Sequence, residues 1–220
     1  MAIVGRVVIR ADRGGATVET ALGLDDPRWA ELHTRNGCAA WVPDWLRHVV
    51  AQPHDLDRFN NDWPELSSEG TTWSAAYAAM PYLVQAAAQL PPAKRFDYAV
   101  VFGFMVRDQV MCDPASPMGL RPYLAPAFRA SIGPALRLAA EVLTVPQPGE
   151  RELRYALMAV AALQGYRVLA GCIDRLDDAE LCPHYAEALA EQGRVKPDAA
   201  PGRGGRTGSR GSRSPRRRGK

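Results

Sequence analysis

Two stretches of this chain repeat one another. Ala79-Met80-Pro81-Tyr82-Leu83-Val84 leads, after a Pro-rich break, into Arg95-Phe96-Asp97-Tyr98-Ala99-Val100-Val101. Ile132-Gly133-Pro134-Ala135-Leu136-Arg137 leads, after a second such break, into Glu152-Leu153-Arg154-Tyr155-Ala156-Leu157-Met158. The leading halves are offset by 53 residues (Pro81 to Pro134) and the following halves by 57 (Tyr98 to Tyr155), the extra four falling in the longer second break. A pair of apolar helices cannot bury its apolar face alone and must stack on its neighbour. The spacing therefore predicts stacked helical hairpins, whose working part is usually a surface rather than a catalytic pocket.

The rest of the composition agrees with an all-α chain. With 220 residues and 47% apolar content, one sizeable core is expected. The Val, Ile and Thr runs that mark strands are few after residue 20. Charge is divided unevenly. Arg203, Arg206, Arg210, Arg213, Arg216, Arg217, Arg218 and Lys220 are eight basic groups in a stretch with no acid, and removing them from the net charge of +3 leaves −5 on residues 1–202. No large apolar residue follows Val195, so this Arg/Gly/Ser-rich stretch cannot offset its ordering entropy and is expected to be disordered. Ile3 to Ile9 is broken by Gly5 and Arg6 and lacks a cleavage pattern, which argues against a secretory signal. No run approaches the ~20 apolar residues of a membrane span. Cys38, Cys112, Cys172 and Cys182 are scattered as reduced thiols would be, and the expected compartment is the cytoplasm.

Along the chain, residues 1–24 read as a leader, either poorly ordered or a short extended piece. From Asp25 the signals are helical. Asp25 or Asp26 caps, Pro27 takes the first helical position, and Gly37 serves as the C-terminal stop. Pro43 opens a second helix and Asp55 a third, running to Leu66 with Phe59 and Trp63 four apart. The central helix is predicted to start at Thr71 or Thr72, with Gly70 permitting a tight entry. Trp73, Ala76, Tyr77, Met80, Leu83, Val84 and Ala87 then follow helical spacing, and Pro81 lies inside it, as Pro134 does in the second unit. The second helix of each unit, Phe96–Met111 and Glu152–Leu163, is expected to be apolar nearly all round and sandwiched between layers. Trp73, Tyr77, Met80, Leu83, Phe102, Met105, Leu157 and Leu163 form the predicted core. Later helices are expected over 169–176 and 177–192.

Trp63-Pro64-Glu65-Leu66, Gly70-Thr71-Thr72 and Ala75-Ala76-Tyr77-Ala78-Ala79-Met80-Pro81-Tyr82-Leu83-Val84 together resemble a group of bacterial HEAT-repeat-like proteins. Trp-x-x-Leu, a Gly-Thr helix start and an Ala-rich, Pro-containing helix recur in that group. Arg28-Trp29 with Leu32 and Ala162-Leu163-Gln164-Gly165-Tyr166 are similar to further pieces of the pattern, extending it over roughly residues 25–183. The group commonly ends in Cys-Pro-x-Cys, where this chain has Cys182-Pro183-His184-Tyr185. What the resemblance implies is a short α-solenoid and, for some members, an immunity or accessory role beside toxins.

Chemistry-bearing patterns are sparse. Cys182 with His184, and Cys38 with His33, give two ligands each where zinc needs three or four, so no metal site and no cofactor are expected. Neither a nucleophile elbow nor a phosphate loop is present. Asp62, Glu65 and Glu69 flank Trp63 and Trp73, and these five are the candidate groove residues. Carboxylates at helix starts serve more often as first-turn or capping groups than as catalysts. Arg203, Arg206, Arg210, Arg213, Arg216, Arg217 and Arg218 form a flexible basic tail capable of weak, sequence-independent, salt-sensitive contact with nucleic acid. A chain ending at Gln192 would lose such contact. The acidic body argues against a nucleic-acid enzyme of helical-repeat type, in which Asp62 and Trp63 would be the first suspects. The resulting expectation is an all-α, HEAT-like helical-repeat domain over 25–192, a disordered tail over 193–220, and non-enzymatic binding of another protein with no membrane association.

Overall fold

A small unit built around a tryptophan and a leucine occurs twice in the first half of the fold. In the computed structural model, which describes residues 21–68, 70–109, 113–146 and 149–177, the first copy begins at Asp26. Its carboxylate accepts from the Arg28 amide at 2.9 Å and caps a 3-10 turn, Pro27–Glu31. A two-stranded hairpin follows, β1 (His33–Thr34) with β2 (Gly37–Cys38), and then α1 (Val42–Ala51). Helix α2 (Leu56–Asp62), capped by Asp55, leads to the second copy. That copy consists of a 3-10 turn Trp63–Glu65, the hairpin of β3 (Ser67–Ser68) and β4 (Thr71–Thr72), and α3 (Ser74–Ala88). The backbone bonds correspond. Leu32 N to Trp29 O, Ala39 N to Leu32 O and Val42 N to Ala39 O in the first copy match Leu66 N to Trp63 O, Trp73 N to Leu66 O and Ala76 N to Trp73 O in the second.

These hairpins correct two expectations. Gly37 does not end a helix. It stands at φ 121° in the first hairpin, while Gly70 takes φ 75° in the second, backbone that L side chains rarely adopt. Thr71 and Thr72 do not cap the central helix, because they are strand residues. The buried Thr72 hydroxyl lies 3.1 Å from the Ser67 hydroxyl across the hairpin and donates to the Met105 carbonyl at 3.4 Å. Helix α3 instead starts at Ser74 behind Trp73, which contributes no side-chain cap.

The remaining helices are α4 (Phe96–Arg107), α5 (Ala125–Val142), α6 (Glu150–Leu163) and α7 (Arg167–Asp174). Pro81 lies inside α3 and Pro134 inside α5, and these two helices pack on each other. Helix α3 also packs on α1, α4 on α6, and α6 on α7. The fold is thus mostly helical with its helices packed face to face. The helix enclosed on all sides is α3, in which every residue but Gln85 and Ala88 is buried. Its alanines let neighbours approach from every direction. The second helices of the repeat, expected in that role, each leave a face open. Helix α4 half-exposes Phe96, Asp97, Val100 and Phe104, and α6 turns Arg151, Leu153 and Leu157 outward.

Most of the expected core residues are enclosed. Tyr77, Met80, Leu83, Phe102 and Met105 have no exposed surface and Leu163 is buried, while Trp73 is half-buried. Leu157 is the exception at 43% exposure, and Met158 beside it is fully buried. The cause is the phase of α6, where Ala156, Ala159 and Leu163 face inward and Leu153 and Leu157, four apart, share the outer side. Helices α4 and α6 touch backbone to backbone, since a Cβ on Gly103 would stand 2.6 Å from the Ala159 Cα. Buried tyrosines tie helices to loops. Tyr82 Oη donates to the Leu22 carbonyl at 2.6 Å and Tyr98 Oη to the Pro53 carbonyl at 3.0 Å.

No helix among the described residues is long and apolar enough to cross a membrane. The extended piece at Ile3–Ile9, all but the first residue of the helix expected over 177–192, Cys182, His184 and the basic tail lie outside the described residues.

Candidate functional site

The open face of α4 forms the floor of a recess. Phe96, Val100 and Phe104 recur every four residues and so line one side of the helix. Asp97 adds a carboxylate in its first turn. Asn60 from α2 and Trp63 from the adjoining 3-10 turn contribute further lining, as do Arg151 and Tyr155 of α6, one helical turn apart. The recess has a volume of about 210 Å³.

Its rings hold one another in place. Trp63 stacks on Phe104 with centroids 5.9 Å apart and planes 16° from parallel. Tyr155 meets Phe104 edge to face at 6.1 Å and Phe96 at 6.5 Å. Edge-to-face and offset-stacked pairs at these separations are the attractive arrangements of two ring quadrupoles. Three guanidinium groups lie over the same rings. Arg107 is 4.7 Å from the Phe104 centroid, Arg154 is 4.7 Å from that of Tyr155, and Arg151 is 5.8 Å from the same ring. Arg107 is also ion-paired with Asp108 and Asp174.

Asp97 is the only carboxylate among the described residues that line the recess. Burial pushes its carboxyl above the ordinary aspartate value, and the hydrogen bond from the Asn60 side chain and the positive charge of Arg151 only partly counter this. No cation among the described residues lies within 4.0 Å of it. The lining thus offers ring faces, one carboxylate, one guanidinium, an amide and a phenol.

Of the five candidate groove residues, the structure brings one into this recess. Trp63 lines it. Asp62, at the end of α2, points instead to Arg58, with Nε–Oδ2 at 3.9 Å. Glu65 Oε1 accepts from Asn36 Nδ2 at 2.8 Å and its carbonyl accepts from the Arg35 amide, so it joins the two hairpin units. Trp73 donates its amide to the Leu66 carbonyl at the entry to α3. Glu69 lies outside the described residues, as do the seven tail arginines. Asp97, Phe96, Phe104, Arg151 and Tyr155 were missed as site residues. The four-residue spacing of Phe96, Val100 and Phe104 was the available signal, and it reads equally well as core.

Cys38 and Cys172 are free thiols, and no cluster of three or more His, Cys, Asp or Glu side chains suited to a metal occurs among the described residues. His33 and Cys38 do stand opposite each other in the first hairpin, but the Cys38 thiol donates to the Ala30 carbonyl. No protein-family model matches the chain, and no curated protein and no solved structure matches it either.

Proposed function

We propose that the chain is a protein-binding module, a short α-solenoid of HEAT-like helical hairpins that engages its partner through the recess on α4. The aromatic recess is the observation that carries this reading. At about 210 Å³ it falls below the ~300–1,000 Å³ of a site for a drug-sized molecule and suits a single inserted side chain. Aromatic anchors surrounded by polar groups are the usual composition of a binding hot spot.

The solenoid reading draws support from the repeat. Proline-containing helices α3 and α5 pack together, as do their followers α4 and α6. Tyr98 of α4 meets Phe59 of α2 at 4.3 Å, and its counterpart Tyr155 of α6 meets Phe104 of α4. Each tyrosine thus contacts an aromatic ring one helical pair back. The resemblance to the HEAT-like group adds an accessory or immunity role to the proposal.

Selection of a random peptide display library on the full chain, counter-screened on Trp63→Ala, tests the reading. Peptide families that bind the wild-type chain and lose binding to Trp63→Ala are the expected result. Families that bind both chains equally would move the contact surface elsewhere and reject the recess.

A further inference from the structure

We propose that the recess is a receptor for an arginine side chain of the partner protein, whose guanidinium takes the place of Arg151 against Tyr155 and opposite Asp97. The inference rests on the recess being the binding point, and it assigns the chemistry of the group that enters.

The chain's own Arg151 indicates the preference. It is an exposed side chain on the first turn of α6, yet its guanidinium lies over the Tyr155 ring and its charge acts on Asp97. A flat, weakly hydrated cation is therefore already compatible with this lining. Guanidinium stacks on ring faces and pairs with carboxylate more readily than an ammonium does, because its charge is delocalised over a plane. Arg151 holds the place loosely. At 5.8 Å from the Tyr155 centroid, against 4.7 Å for Arg154, it is close to the ~6 Å outer limit of a cation–π contact, and among the described residues it is not within ion-pairing distance of Asp97. No cation among the described residues lies within 4.0 Å of Asp97, so a guanidinium brought into the recess would find that carboxylate open to pairing.

One further feature agrees. Asn60 also lines the recess, and an amide side chain can both donate to a carboxylate and accept from a guanidinium N–H.

The test compares two probes of nearly the same shape, N-acetyl-arginine amide and N-acetyl-citrulline amide, in the second of which a neutral urea replaces the cationic guanidinium and one terminal NH2 becomes a carbonyl oxygen. Each is titrated into the full-length protein and followed by the NMR signals of the Trp63 indole N–H and the Asn60 side-chain amide. The arginine probe is expected to shift both signals saturably, with citrulline about tenfold weaker or worse, in line with the worth of a partly desolvated cation–π contact plus a charge pair. Removing the guanidinium that lines the recess with Arg151→Ala should tighten arginine binding by about three- to tenfold, and Asp97→Asn should weaken it by about tenfold. Unchanged backbone spectra away from α4 and α6 establish that both variants are folded. Equal binding of the two probes, or weaker binding after Arg151→Ala, would overturn the proposal. If recess-dependent peptides emerge from the display selection without arginine, the inference fails while the binding reading stands.

Discussion

Replacing Gly103 with alanine tests the closest contact in the fold. Glycine in the middle of a helix is ordinarily a liability, and Gly→Ala there stabilises by about 1 kcal/mol through propensity alone. At Gly103 the sign should reverse. The added methyl carbon would stand 2.6 Å from the Ala159 Cα, 2.8 Å from its Cβ and 3.0 Å from the Met158 sulfur. The sulfur is the end of a flexible side chain and can yield, but the Ala159 Cα is backbone of α6 and moves only with its helix. Forcing an extra methyl into a packed core costs about 1–3 kcal/mol, and backbone contact belongs at the upper end of that range. After the propensity gain, a net loss of about 1–2 kcal/mol is expected. Gly171, inside α7 with nothing within 4 Å of its would-be Cβ, is the control and should gain about 0.5–1 kcal/mol. In urea, at about 1–3 kcal/mol per molar, the two midpoints should separate by roughly 1 M. A Gly103→Ala chain that unfolds at or above the midpoint of Gly171→Ala would show that α4 and α6 are not in backbone contact.

Other outcomes follow from burial and titration. Leu83→Ala should cost about 2–5 kcal/mol by denaturant melting, as a fully enclosed leucine does, whereas Leu157→Ala on the open side of α6 should stay within about 0.5 kcal/mol; similar losses at both would refute the phase assigned to α6. Tyr82, desolvated by burial, has its phenol pushed up to about 12. The unfolded chain ionises near 10, so the stability this group contributes is intact below about pH 10 and is lost as pH rises towards 12, by about 2–3 kcal/mol in all. Urea melts at several pH values between 9 and 12 measure the slope, and Tyr82→Phe should flatten it in part, since Tyr98 is raised by burial as well. An unchanged slope in that variant would place Tyr82 in contact with solvent.

The paired helices with interior prolines, the Asp26 and Asp55 caps and the enclosed positions Tyr77, Met80, Leu83 and Phe102 were legible because their signals are local. A cap acts within one turn, and apolar spacing of three and four residues defines a helix face by itself. The hairpins were not legible. Gly37, Gly70, Thr71 and Thr72 carry turn and cap chemistry that serves a helix end or a strand turn equally. The choice was made by distant partners: Thr72 bonds to Met105 of α4, and the first hairpin hands its His33 amide to Ser74 and its Arg35 amide to Glu65. Periodicity put Leu157 in the core, and only the position of α4 against α6 turned Met158 inward in its place. The recess lies furthest from local reading. Its lining comes from residues 60–63, 96–104 and 151–155, and nothing within any one of those segments distinguishes it from a buried helix face. Asp62 sits beside Trp63 in the chain, yet the carboxylate that shares the recess with Trp63 is Asp97, because chain proximity places two residues on one backbone while helix packing determines which side chains share a space.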